Sequence, residues 1–137
     1  MSRSGYHEYE PHSQEEQWAH IRWRGAVKSA IRGRRGQKLL RELRDGMDAM
    51  PEKKLISDTL EKDGCFCALG VVGKHRGMSM AKIDAQDSEQ VAGAFDIAEA
   101  LAREIVYTND EHFDIETDEA RWIRVRQWVQ ANIRDMP

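Results

Sequence analysis

Cysteine is scarce in this chain, and the two that occur, Cys65 and Cys67, stand one residue apart, where they cannot easily bridge each other. A disulfide framework is thereby excluded, and the usage fits a reducing, cytoplasmic setting. Long apolar runs are missing too. None approaches the roughly 18 residues that a membrane span needs, so no membrane partner is expected. The opening Met1-Ser2-Arg3-Ser4-Gly5-Tyr6 lacks the apolar centre of a signal peptide. No Gly-x-x-x-x-Gly-Lys-Ser/Thr phosphate loop occurs, and no helix-turn-helix, zinc-finger or RNA-recognition signature. Internal repeats are absent, and no heptad pattern lasts long enough for a coiled coil. Nothing calls for a cofactor.

Charge is what the chain has in quantity: one third of its 137 residues are Asp, Glu, Lys or Arg. The net charge of −3 hides a strong polarity. From Arg22 to Arg44 nine basic residues face one acid, Glu42; from Asp84 to Glu119 twelve acids face one base, Arg103. Two such segments neutralise each other or present opposite faces to partners. Four Trp residues and regular apolar spacing argue against disorder. The length is that of one domain, which buries roughly 68% of its unfolded surface and so builds a core without staples.

The central stretch is Asp63-Gly64-Cys65-Phe66-Cys67-Ala68-Leu69-Gly70-Val71-Val72-Gly73, the one long charge-free run. Asp-Gly signals a turn, and the small residues after it allow close backbone approach. It reads as a short strand at 65–66 feeding a buried helix over about 67–76. Residues 1–13 read as a flexible arm, docked if at all by Tyr6 and Tyr9, and 14–137 as a single domain.

A first helix is predicted from Gln14, with Ala19, Trp23, Ala26, Val27, Ala30 and Ile31 on its core face. Arg24, Lys28 and Arg32 form an i, i+4, i+8 stripe on another side, with Trp18 and Ile21 near it. Gly33-Arg34-Arg35-Gly36 breaks the pattern. A second helix over about 36–50 carries Leu39, Leu40, Leu43, Met47 and Met50 on one arc and stops at Pro51. Residues 54–66 read as a small hairpin, although Leu55, Ile56, Thr59 and Leu60 also suit a helix turn. Asp87 and Asp96 each have a Gln or Glu three residues on, which marks helix starts. Asn109-Asp110 ends the second of these helices, since Asn tolerates the left-handed conformation that such an ending often requires. An acidic, solvated loop then leads to Thr117, the cap of a last helix over about 118–134. That helix points Trp122, Val125, Trp128, Val129 and Ile133 inward and Arg121, Arg124 and Arg126 elsewhere. The fold class is mostly α, α+β at the margin: one compact domain of four to five helices with one small β-hairpin.

The segment Asp63-Gly64…Cys67-Ala68-Leu69-Gly70-Val71, followed by a helix ending in Asn109-Asp110 and a final Trp-bearing helix, resembles a family of small tailed-phage and prophage proteins. The opening six residues and the run from Ala30 to Lys53 are similar to a closer prophage subgroup. The likeness covers most of residues 1–134 and names a lineage rather than an activity. What it implies is an accessory protein acting on host machinery, including antagonists of CRISPR and other defences.

Several chemistries compete. Cys67 at a helix N-terminus, with His75, His112 and Asn109 in reach, would make a cysteine-dependent hydrolase; core packing against Phe66, Leu69 and Val71 is the plainer reading. Cys65, Cys67, His75 and His112 count four metal ligands, but C-x-C is not the usual zinc spacing. His7, His12 and His20 read as surface residues, Gly70 and Gly73 as helix-packing positions. The carboxylates of 110–119 are numerous, yet a general acid needs a buried one, and this stretch reads as solvated. The strongest functional signal is the basic stretch. Arg24, Lys28, Arg32, Arg34, Arg35 and Lys38 are the expected contacts for an acidic face of a host protein or ribonucleoprotein complex, or for nucleic acid bound without sequence preference. The acidic segment offers the converse, a phosphate-like surface for a nucleic-acid-binding complex.

Overall fold

The computed structural model describes residues 3–4, 14–110 and 116–134. Among them six helices and one sheet follow in order: α1 Gln14–Arg32, α2 Arg34–Ala49, β1 Glu61–Lys62, β2 Cys65–Phe66, α3 Ala68–His75, α4 Ser88–Phe95, α5 Glu99–Asp110 and α6 Asp118–Asn132. The class is the mostly helical one expected, with one helix more. Asp87 opens α4 as its spacing to Gln90 predicts, a helix of two turns, its carboxylate accepting the Gln90 N–H at 3.1 Å. Asp96, expected to open α5, closes α4 instead at φ 57°. The chain needs a left-handed residue to turn straight into the next helix, and Asp tolerates that conformation.

The hairpin is shorter than the expected 54–66. Glu61 lies opposite Phe66 and Lys62 opposite Cys65, antiparallel. Asp63 (φ 53°) and Gly64 (φ 77°) supply the two left-handed residues of the connecting turn. Residues 54–60 form no strand. Their backbone is bonded piecemeal, Leu55 N–H to the Asp118 carbonyl and Ile56 N–H to that of Phe66, each at 3.0 Å.

The centre is α2 on α3. Leu39, Leu40, Leu43 and Met47 are wholly buried, each worth about 1.5–3 kcal/mol relative to exposure. Against them lie Ala68, Leu69, Val71 and Val72, all buried, so the glycine-thinned run does sit at the core. Gly70 shows why it must be thin. A Cβ there would stand 3.0 Å from the Leu60 carbonyl carbon and closer still to its oxygen. The first helix contributes less than its periodicity suggests. Val27 and Ile31 are buried, but Ala26 is exposed, and so is Ala19, because residues 14–22 of α1 run past the core and are exposed throughout.

Where α3, α5 and α6 converge lies a buried ionic cluster that apolar periodicity does not reveal. Arg3 grips Asp110 with two bonds, of 2.5 and 2.6 Å, both side chains 5% exposed or less. Burial is the largest single influence and opposes the Arg3 charge, but the bond and charge of Asp110 together with the neighbouring Cys67 outweigh it and raise the guanidinium pKa. α5 ends at Asp110 as expected, with Asn109 in its last turn and not left-handed. The Asn109 Oδ1 accepts the Ala68 N–H (3.0 Å), capping α3, and its Nδ2 donates to the Ile56 carbonyl at 2.9 Å. Arg121, expected to face away from the core, is buried and donates to the carbonyls of Asn109 (3.1 Å) and Leu55 (2.9 Å). Arg124 clasps Glu116 at 2.7 and 2.9 Å. The carboxylates at both ends of the expected solvated loop, Asp110 and Glu116, are thus buried in ion pairs. The N-terminal arm is anchored here through Arg3; Tyr6 and Tyr9 lie outside the described residues.

Candidate binding surface

The basic residues cluster at the corner where α1 ends and α2 begins, and a single residue, Gly33, separates the two helices. The corner is tight. A Cβ on Gly36 would lie 3.0 Å from the Ala30 carbonyl carbon and closer still to its oxygen. Gln37, which apolar spacing does not single out, locks the corner from inside. Its Nε2 donates to the Ile31 carbonyl (2.8 Å) and the Asn132 carbonyl (3.0 Å), and its Oε1 accepts the Arg134 N–H at 2.8 Å. Gln37 stands at the edge of the α2 apolar arc, where a polar side chain ordinarily meets water. Only the structure shows it turned in to satisfy the carbonyl ends of α1 and α6.

The six expected contacts are gathered on this corner but are not equivalent. Arg24 is committed to Glu104 at 3.0 Å, its partner nearly buried. Arg35 reaches Asp96 at 3.2 Å with both side chains more than half exposed, a pairing worth about 0–1 kcal/mol. Lys28, Arg32, Arg34 and Lys38 are exposed, with no ion pair or hydrogen bond among the described residues. Lys28 and Arg32 lie in the last two turns of α1 and, with Arg134, line a cleft of about 110 Å³ beside the end of α6. Cations there suit the negative ends of two helices.

Arg34 and Arg35 have the opposite situation. They are the first two residues of α2, where the helix dipole is positive. No acidic residue occupies that first turn, and Gly33 provides no side-chain cap. Lys38 follows Arg34 by one turn, a further like-charge pair at i, i+4. Uncapped N–H groups and two exposed arginines therefore share this end of α2.

The cysteine chemistries do not assemble. Cys67 is the N-cap of α3: its Sγ accepts the Gly70 N–H at 3.4 Å, and burial pushes its thiol pKa up. A thiol so placed is a poor nucleophile. Asn109 is spent on capping α3, and His75 lies at the far end of that helix, two turns from Cys67. His112 lies outside the described residues. Cys65 is half-buried and lines, with His75, Met50, Pro51 and Phe66, a groove of about 670 Å³. No hydrogen bond orients the His75 ring among the described residues. No group of three His, Cys, Asp or Glu side chains placed to hold a metal ion is found among the described residues.

No family model, curated protein or solved structure matches the chain. Function must therefore be argued from this geometry. No described helix is long and apolar enough to cross a membrane.

Proposed function

We propose that the chain is a non-enzymatic binding protein that docks the α1–α2 corner onto an anionic face of a larger host protein or ribonucleoprotein complex. One observation carries the reading: Arg34 and Arg35 stand at the uncapped, positive end of α2, with no acid in its first turn. The α2 dipole disfavours cations at that position and the Arg35–Asp96 pair returns at most about 1 kcal/mol, whereas an incoming anionic group meets guanidinium donors, uncapped N–H groups and a favourable dipole together. Arg32 and Lys38 extend the surface on either side, with Lys28 beyond. Arg24 is better assigned to holding α1 on α5 through Glu104.

The resemblance of the central stretch to small tailed-phage proteins supports reading this binder as an accessory protein that acts on host machinery in the bacterial cytoplasm, a CRISPR or other defence complex being one such target. The test is capture from a bacterial lysate with the tagged chain and its R34E/R35E variant. The wild type is expected to retain a defined complex that the variant loses while both stay folded. Equal retention overturns the reading. A gel shift with random oligonucleotides separates the nucleic-acid alternative. Four phosphate contacts from Lys28, Arg32, Arg34 and Lys38 would give a salt slope of about −3.6; a protein partner leaves such oligonucleotides unbound.

A further inference from the structure

The half of α1 that projects beyond the core carries two of the three most exposed large apolar side chains among those described, Trp18 at 53% and Ile21 at 58%. Every residue from Gln14 to Arg22 is exposed. Gln14, Trp18, Ile21 and Gly25 recur at intervals of four, three and four, so they form one stripe along the helix. Gly25 leaves that stripe flat: a Cβ placed there meets nothing within 4 Å. Glu15 and Arg22 flank the same side of the stripe, with opposite charges at opposite ends.

We infer that this stripe is a self-association surface, on which α1 of a second copy packs antiparallel about a two-fold axis near residues 19–20. A two-fold contact must be self-complementary, each residue meeting a partner that it meets again in reverse. About this axis Trp18 of one copy covers Ile21 of the other, Gln14 covers Gly25, and Glu15 faces Arg22, each pairing occurring twice. The parallel arrangement fails on charge. It extends along the same stripe into Lys28 on Lys28 and Arg32 on Arg32. The antiparallel overlap covers residues 14–25 and stops before either. It also leaves Arg34 and Lys38, on α2, outside the contact, so it stands independently of the proposed function.

The contact is small. Twelve helical residues span about 18 Å, so a face about 10 Å wide buries about 200 Å² per copy, well below the roughly 800 Å² of a stable complex. Association is therefore weak and concentration-dependent.

Sedimentation equilibrium of the full chain tests this. The weight-average mass is expected to climb from 15.8 kDa toward twice that value between about 10 µM and about 1 mM protein. W18E/I21E is expected to stay monomeric throughout with unchanged helical circular dichroism. E15R and R22E each weaken association about tenfold, because the ion pair occurs twice, and the charge-swapped E15R/R22E restores it. A wild-type monomer at the highest concentration, association indifferent to W18E/I21E, or failure of the swap to rescue would each overturn the proposal.

Discussion

Replacing Gly36 by Ala and Gly93 by Ala makes the same chemical change in two helices, and the structure requires opposite signs. At Gly93 in α4 a Cβ meets nothing within 4 Å. The substitution there gains only helix propensity, about 1 kcal/mol. At Gly36 the obstacle is backbone, the carbonyl group of Ala30, and Ile31 O lies 3.2 Å from the new atom. A flexible side chain could swing aside, but a carbonyl in the last turn of α1 cannot move without moving the helix. Overpacking of this kind costs about 1–3 kcal/mol, and prying α1 from α2 also strains the Gln37 bonds, each worth about 1 kcal/mol. Set against the gain in propensity, the net loss is about 2–3 kcal/mol. At about 3–5 °C per kcal/mol for a chain of this size, G36A should melt about 6–15 °C below wild type and G93A a few degrees above it. Thermal melts followed by far-UV circular dichroism read both. Equal stability of G36A and wild type, or equal losses in the two variants, would refute the close approach of α1 and α2.

Three further outcomes follow from the buried polar groups. R3M should cost about 3 kcal/mol in urea unfolding, because it strands Asp110 in the core with only Asn109 and Asp58 as donors; a loss below about 0.5 kcal/mol would remove Arg3 as an anchor. Arg76, bonded to Glu42 at 2.7 and 2.9 Å, holds that carboxylate below its ordinary 4.5. The stabilisation is therefore complete above about pH 4.5 and lost as pH falls through the lower folded value. Urea midpoints measured down through this range should accordingly fall less steeply for R76M than for wild type, and parallel curves would contradict the pairing. Iodoacetamide on the folded protein should modify Cys65 alone, read by intact mass, since Cys67 is buried beneath its own helix; labelling of Cys67 without unfolding would reopen the nucleophile reading.

What could be read from the sequence was whatever depends on local pattern. The apolar arc of α2, the Asp-Gly turn, the caps at Asp87 and Thr117 and the buried glycine-thinned α3 all follow from spacing and short-range chemistry, and the structure shows each. Long-range polar pairing had no such signature. Arg3 and Asp110 are separated by nearly the whole chain, and Arg121 looks like any outward arginine until Asn109 and Leu55 present their carbonyls to it. Asp96 carried a valid start signal for α5, but a left-handed stop for α4 competed for the same residue and won. On the surface, the sequence located the basic corner without ranking its members. Arg24 and Arg34 differ only once Glu104 is brought beside the first and the bare end of α2 beneath the second.

On the proposed function Arg34 and Arg35 are kept for a partner at the expense of the fold, and the melting temperature of R34E/R35E decides this. Two acids in the first turn of α2 replace an unfavourable dipole interaction by a favourable one, about 0.5–1 kcal/mol each. Losing the exposed Arg35–Asp96 pair gives back at most about 1 kcal/mol. The net gain is about 0–2 kcal/mol, so the variant should melt no lower than wild type and up to several degrees higher. A variant that melts several degrees lower would show that the two arginines serve the fold, and would contradict it.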